Sequence, residues 1–169
     1  MAVKTLVTLD DYLATSYDGT DREFVEGEVV ERSMPNKKHS ALQARLIEIV
    51  YDLKRAGLPF RCYPELRHRL SQSLVRIPDV VIFAGPEPEE EVPTVPPLVA
   101  VEILSPDDRA TLVLEKLRDY DQFGAEQIWL IDPEKQELYS YSHGTLSQVR
   151  EFVISEYAVT ISHETIFSI

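Results

Sequence analysis

The chain has 169 residues, of which 44% are hydrophobic, and a formal net charge of -12 at pH 7. This length can bury roughly two thirds of the surface that the unfolded chain exposes, so residues 1–169 are expected to form a single globular domain. No run approaches the length of a membrane span and no leader pattern stands at the start, which predicts a cytoplasmic protein. The single cysteine, Cys62, excludes an internal disulfide, as is typical of a reducing compartment.

The charge is unevenly distributed along the chain. Residues 32–76 hold ten of the seventeen Lys and Arg residues against three acids, and the remainder of the chain is strongly acidic. Such segregation suits a protein that presents one positive face to a polyanion such as nucleic acid. Ordinary solvated faces of helices and strands explain the pattern equally well, so charge alone leaves both interpretations open.

The first elements form an N-terminal cap and a core helix. The pattern predicts a short amphipathic helix over residues 8–16, followed by a hairpin or bent strand pair over residues 22–32 around Gly27. Apolar residues at helical spacing then predict the first core helix over residues 38–56. The sequence Gly57-Leu-Pro59 ends this helix.

The middle of the chain predicts strands around a long loop. Residues 60–70 and 75–83 read as strands separated by a turn at residues 71–73. Residues 84–97 contain five of the eleven prolines and four glutamates, which predicts a surface loop within one sheet rather than a domain boundary. Residues 98–104 are apolar almost throughout, as in a central strand that is buried on both faces.

The last part of the chain predicts a second helix and further strands. Ser105-Pro106-Asp107-Asp108 has the order of a helix start, with Ser105 as the cap and Asp108 as the capping-box acid. The helix is expected to end at Phe123 and Gly124. Strands are predicted at residues 127–131, 136–141, 145–153 and 157–161.

Two carboxylates stand alone in runs that otherwise predict burial. Asp79 lies in residues 77–83 (IPDVVIF) and Glu102 lies in residues 98–104 (LVAVEIL). An ionised carboxylate in an apolar environment is costly unless a cation or hydrogen bonds compensate it. Because the two acids flank one loop on consecutive strands, a metal-ion site is the economical explanation.

A lysine on the second helix is a candidate third member of this site. Lys116 shares a largely apolar face with Val113 and Tyr120. A buried ammonium group needs an anion, which Glu102 on the preceding strand can supply, so we expect Asp79, Glu102 and Lys116 to converge. The alternative is a buried ion pair between Glu102 and Lys116 that has no catalytic role. This alternative explains any one of the three residues better than it explains all three together.

These groups fit a hard cation. Mg²⁺ takes carboxylate oxygens, backbone carbonyls and water, so Asp79, Glu102 and the carbonyl of Ile103 are the expected ligands, with Mn²⁺ as an alternative ion. Lys116 would orient or activate the bound water, or stabilise charge on a phosphate. The helix expected to begin at Ser105 would direct its N-terminal amides to the same region and add a phosphate site.

Short motifs over nearly the whole chain follow the order of one known family. They are the hairpin Glu23-Phe-Val-Glu-Gly-Glu28, His39, Pro78-Asp79, Glu102-Ile-Leu-Ser105-Pro106, Lys116, Tyr120, Gly124 and Ile128-Trp-Leu-Ile-Asp-Pro133. Together they resemble the Uma-type restriction endonuclease domain family within the PD-(D/E)XK nuclease superfamily. The resemblance implies an α/β (α+β) restriction-endonuclease-like core, in which helices flank a mixed β-sheet and a helix and hairpin form an N-terminal cap.

The resemblance also implies roles for the residues. Asp79 and Glu102 correspond to the metal ligands of a phosphodiester hydrolase. The superfamily pattern places a lysine two residues after the second carboxylate, where this chain has Leu104, and in the family a lysine on the next helix, here Lys116, takes that role. His39, by default a buried core histidine, becomes a candidate for proton relay or support.

The leading hypothesis is therefore a Mg²⁺-dependent endonuclease acting on DNA, with residues 32–76 contacting phosphates. Alternatives are a catalytically inactive nucleic-acid or protein-binding module of the same fold, and a metal-dependent hydrolase of another anionic substrate. Glu23 and Glu26 are weaker candidates for contact with the metal. Oligomeric state stays open, and residues 160–169 are the segment expected at the interface of a homodimer.

Overall fold

A computed structural model describes residues 6–168 of the chain. The helices are α1 (Leu9–Leu13), α2 (Lys37–Arg55), α3 (Ala110–Phe123) and α4 (His163–Phe167). The strands are β1 (Glu23–Val25), β2 (Glu28–Val30), β3 (Phe60–Pro64), β4 (His68–Ser71), β5 (Leu74–Arg76), β6 (Val80–Ala84), β7 (Val99–Ile103), β8 (Gln127–Asp132), β9 (Glu137–Ser142), β10 (Thr145–Val149), β11 (Glu151–Ile154) and β12 (Val159–Ser162). The predicted α+β architecture, a mixed sheet flanked by helices, is confirmed.

The central sheet has six strands in the order β10-β9-β8-β7-β6-β3. Its neighbours are antiparallel except β7 and β8, which are parallel and are joined by the crossover helix α3. A four-stranded sheet of order β2-β1-β5-β4 and the hairpin β11-β12 lie beside it. The N-terminal cap predicted over residues 8–32 corresponds to α1 and the β1-β2 hairpin.

Helices cover both faces of the central sheet. All five residues of β7 are buried, as the apolar run predicted. On one face, α2 contributes Leu42 and Leu46 to a core that also contains Trp129 and Phe152, whose rings stack with centroids 4.1 Å apart. On the other face, α3 packs through Val113, Leu117 and Tyr120.

Three predicted strands are wrong in extent because the chain changes sheet within them. Residues 60–70 split into β3 and β4, and Glu65 between them has a φ of 49°. Residues 75–83 split into β5 and β6, since Pro78 has no N–H with which to continue a ladder. Residues 145–153 split into β10 and β11.

The predicted helix start at Ser105 is also wrong. Helix α3 begins at Ala110, after Arg109, and Ser105 lies in a turn where its N–H donates to Asp108 Oδ2 (2.7 Å) and its carbonyl accepts from Asp108 N–H (3.1 Å). Asp108 makes the contact back to the Ser105 N–H that is expected of a capping-box acid, but it closes a turn that no helix continues, and the amides of α3 do not start at Ser105. The predicted end is confirmed, with Gly124 in the left-handed region at a φ of 98°.

The C-terminal segment packs against its own chain. Helix α4 lies on α2, where Arg45 Nε donates to the carbonyl of Thr165 (3.0 Å), and Ile166 is fully buried. This part of the segment 160–169 is thus used within the protomer, and Ile169 lies outside the described residues. No helix within residues 6–168 is long and apolar enough to cross a membrane.

Candidate active site

The register of the central sheet brings the two isolated carboxylates together. Val80 of β6 pairs with Val101 of β7 in an antiparallel ladder, so Asp79, one residue before β6, lies opposite Glu102. The N–H of Ile103 donates to Asp79 Oδ2 (2.7 Å), which ties the two strands at this point. Both acids are buried, Asp79 with 4% and Glu102 with 7% of its surface exposed.

Lys116 reaches the same place from α3, as predicted. Its Nζ lies 3.4 Å from Glu102 Oε2 and 3.1 Å from Glu23 Oε1. The hydroxyl of Tyr120 donates to Glu102 Oε1 (2.6 Å). Burial raises the pKa of Glu102 to about 7 against the opposing charge of Lys116, and the negative charges of Asp79 and Glu23 act in the same direction as burial.

The negative charge of Asp79 is compensated more strongly than that of Glu102. Arg32 Nη2 donates to Asp79 Oδ1 (3.0 Å), and His39 Nε2 lies 3.2 Å from Oδ2. Asn36 starts α2 by accepting from the N–H of His39 (2.9 Å), which places the imidazole at the site. Burial opposes ionisation, but the hydrogen bond from His39 and the nearby charges of His39 and Arg32 hold the pKa of Asp79 below its ordinary value.

Glu23 lies at the site, whereas Glu26 does not. Only 1% of the surface of Glu23 is exposed, and its Oε1 accepts from the N–H of Ile77 (3.0 Å) while its Oε2 accepts from Arg76 Nη1 (2.8 Å). Glu26 is exposed and accepts from the hydroxyl of Ser73 (2.8 Å). Of the two hairpin acids ranked equally from the sequence, the structure brings only Glu23 to Lys116.

A small cavity of about 20 Å³ lies between these groups. Its lining includes Arg32, His39, Asp79, Glu102, Ile103 and Lys116. This volume accommodates about one water-sized particle.

The donor set matches a cation that retains water. Within residues 6–168, no group of three or more His, Cys, Asp or Glu side chains is arranged as a metal cage. Mg²⁺ is commonly held by only one or two carboxylates, with water and phosphate completing its shell. Asp79 and Glu102 line one water-sized cavity together with Ile103, so the pair fits such an ion.

Arg32 and Arg76 are site residues that sequence reasoning missed. Arg32 stands 47 positions from Asp79, and Arg76 stands 53 positions from Glu23. They fall in the basic segment 32–76, where they were assigned to phosphate contact. Only the pairing of strands and loops from distant parts of the chain reveals that each of them neutralises a buried acid.

Most basic residues of the segment 32–76 form ion pairs within the chain. Seven of its ten Lys and Arg residues form ion pairs with acids of the same chain, namely Arg32, Lys38, Arg45, Arg55, Arg61, Arg67 and Arg76. Lys37, Lys54 and Arg69 are the members for which residues 6–168 provide no ion pair. The segment therefore offers far fewer unpaired charges than its composition indicated.

The fold is similar to that of a nuclease-class protein of known structure. A crystal structure described as "a putative nuclease belonging to DUF820 from Anabaena variabilis ATCC 29413" matches with a TM-score of 0.83 and 25% sequence identity, over 96% of this chain and 98% of that one. The chain belongs to the Uma2 family, described as "Putative restriction endonuclease", whose model matches residues 9–168. No curated protein matches the chain. Family and structural neighbour together support a nuclease-like role.

Proposed function

We propose that this protein is a metal-dependent endonuclease that hydrolyses phosphodiester bonds in DNA. The observation that carries the proposal is the convergence of Asp79, Glu102 and Lys116 on one small cavity. Asp79 directly precedes β6, Glu102 lies on β7 and Lys116 lies on α3. The two carboxylates are buried and Lys116 is half-buried, at a cost that structural stability alone does not require. Membership of the Uma2 family favours this chemistry over a binding function.

Each residue of the cavity has a role in this mechanism. Asp79, Glu102 and the main-chain carbonyl of Ile103 would hold Mg²⁺ or Mn²⁺. When bound, such a cation lowers the pKa of a coordinated water and offsets the negative charge of the phosphate. Lys116 donates hydrogen bonds from Nζ, orienting the attacking water or stabilising charge on the phosphate in the transition state.

His39 supports Asp79 in this scheme. Burial disfavours its charged form, but its contact with Asp79 raises the pKa of the imidazole above the ordinary value. The imidazole therefore keeps its charge to a higher pH than a free histidine does, and its contact with Asp79 Oδ2 stabilises the ionised form of that carboxylate. The alternative of a non-catalytic module of the same fold predicts the same ion pairs without cation binding.

Cleavage assays on plasmid and oligonucleotide DNA with Mg²⁺, Mn²⁺ or a chelator test the proposal. Glu102→Gln and Lys116→Ala should lower the rate on the order of a hundredfold or more, because each removes a charge that acts on the reacting phosphate or its cation. Calorimetry should show weaker Mn²⁺ binding by Glu102→Gln. Glu126→Gln is the matched control, since Glu126 is exposed and lies at the opposite end of the β7-β8 pair.

Two outcomes would contradict the proposal. Folded wild-type protein that neither binds Mn²⁺ nor cleaves DNA would favour the non-catalytic module. Full activity in Lys116→Ala or Glu102→Gln would show that the cleavage arises elsewhere.

A further inference from the structure

Lys116 must be held in place from outside its own helix. The lysine of the superfamily pattern would stand at position 104 on the strand end, but this chain has leucine there and supplies the ammonium group from α3. A lysine side chain has a flexible four-carbon stem, and holding it in one conformation costs rotamer entropy. A second contact that fixes Nζ is therefore needed for accurate placement.

Glu23 provides that contact. Lys116 Nζ lies closer to Glu23 Oε1 (3.1 Å) than to Glu102 Oε2 (3.4 Å). The Glu23 side chain is 2% exposed and that of Lys116 is 18% exposed, so water screens their attraction weakly. The ammonium group is thus shared between a carboxylate that lines the cavity and one that does not.

Glu23 is itself fixed to the scaffold. The N–H of Ile77 and the guanidinium of Arg76 occupy its two oxygens, at 3.0 and 2.8 Å. Arg76 in turn donates from Nε (2.8 Å) and Nη2 (2.6 Å) to Asp119 Oδ2. Glu23 on β1 and Arg76 on β5 belong to the four-stranded sheet, and Asp119 and Lys116 both belong to α3. These contacts therefore hold the helix and its lysine against the same two strands.

We propose that Glu23 is a positioning residue that directs the ammonium group of Lys116 toward the cavity between Asp79 and Glu102. This inference rests on the proposed function, because the placement of the ammonium group matters only if Lys116 acts on a reacting phosphate. A role as metal ligand fits less well, since Glu23 shares a neighbouring cavity with Glu102 and Lys116 but is not among the described residues that line the cavity with Asp79. A purely structural ion pair would be dispensable for chemistry.

Two substitutions of Glu23 and one matched control test the inference. Glu23→Gln removes the charge with little change of shape, and Glu23→Asp keeps the charge but withdraws it by one methylene. Glu26→Gln alters an exposed glutamate of the same hairpin. The first readout is the NMR signal of the Lys116 ammonium group in metal-free protein, assigned with Lys116→Arg. The second is steady-state cleavage of an oligonucleotide duplex with Mn²⁺, together with calorimetric Mn²⁺ affinity.

In both Glu23 variants we expect the ammonium hydrogens of Lys116 to lose their protection from solvent exchange. We also expect kcat to fall on the order of tenfold to a hundredfold, as for a catalytic group displaced by about 1 Å. In Glu23→Asp, which keeps the negative charge near Glu102, KM for DNA and the Kd for Mn²⁺ should stay within about twofold of the wild-type values, since neither Asp79 nor Glu102 is altered. Glu26→Gln should match the wild type.

The inference is overturned if Lys116 stays protected in Glu23→Gln and Glu23→Asp, or if the Mn²⁺ affinity of Glu23→Asp falls as much as its kcat does. Should Glu23→Gln fail to fold, Glu23→Asp decides by the same readouts. Wild-type protein that does not cleave DNA would refute the proposed function, and the NMR result would still decide whether Glu23 fixes Lys116.

Discussion

Asp79, in the bend before β6, and Glu102, on the neighbouring strand β7, are both buried, yet their pKa values move in opposite directions. Burial raises both, but the contacts of Asp79 with His39 and Arg32 outweigh it, whereas Glu102 shares Lys116 with Glu23. Divergent pKa values in one site are typical of carboxylates with different roles. Asp79 is the member whose ionised form the chain itself stabilises, and Glu102 is the member whose charge a cation would stabilise.

The raised pKa of Glu102 predicts how stability depends on pH. In the folded protein this carboxyl binds a proton up to about pH 7, whereas its ordinary value is 4.5, so the folded state binds more protons between these limits. Wild-type stability should therefore fall relative to Glu102→Gln as pH rises from about 4.5 to 7, by about 3 kcal/mol in total. Urea denaturation of metal-free protein at several pH values measures this difference.

Glu126→Gln serves as the control, because an exposed glutamate should show no such trend. A stability difference between Glu102→Gln and wild type that is constant across this pH range would show that Glu102 is ionised throughout it. The attraction of Lys116 would then dominate over burial.

At the residue scale, the sequence was informative about some site residues and silent about others. Asp79, Glu102 and Lys116 were visible because a charge inside an apolar run or face has few structural explanations. Arg32 was not visible, since a basic residue near the end of a strand is ordinary, and its partner Asp79 stands 47 positions away. Glu23 was ranked among the weaker site candidates because hairpin acids are usually solvated.

At the element scale, the errors occur where the chain leaves one sheet for another. Periodicity predicted the existence of β6 and β7, but it does not reveal which sheet a strand joins. The break at Pro78 separates β5 from β6 and thereby places Asp79 in a bend between two sheets. Such a bend leaves the Asp79 side chain facing the cavity, so the misassigned boundary coincides with the candidate site.

The end of α3 provides a test of local conformation. Gly124 has a φ of 98° and donates its N–H to the carbonyl of Tyr120 (3.1 Å). Gly124→Ala should lower the free energy of unfolding by about 1 kcal/mol, because an L-residue is strained in the left-handed region. The added Cβ would contact Pro96 at an ordinary 3.6 Å, so the cost is conformational.

Urea denaturation measures this change. Gly124→Asn is the comparison, since asparagine tolerates the left-handed conformation better than alanine does and should lose less stability. A loss in Gly124→Asn that equals or exceeds the loss in Gly124→Ala would contradict a conformational cause.

At the scale of the whole molecule, the clustering of basic residues over 32–76 left a positive face open as one interpretation, and ion pairs with acids of the chain neutralise most of that segment. Arg67 pairs with Asp21, and Lys38 pairs with Glu134, which stands 96 positions away. The acids that neutralise the segment come mostly from outside it, so a charge count along the sequence could not anticipate the pairing. Binding of DNA would consequently depend on the cation of the site and on few surface charges.

This pairing predicts a weak dependence of DNA affinity on salt. Each phosphate neutralised by a free Lys or Arg contributes a slope of roughly -0.9 to a plot of log K against log salt concentration. Three unpaired residues of the basic segment, Lys37, Lys54 and Arg69, therefore predict a slope near -3, whereas all ten would give a slope near -9. Fluorescence anisotropy of a labelled duplex, in Ca²⁺ to suppress cleavage, gives this slope. A steep slope would mean that internal ion pairs open to contact DNA, and Lys38→Gln, which breaks the pair with Glu134, would then reduce it.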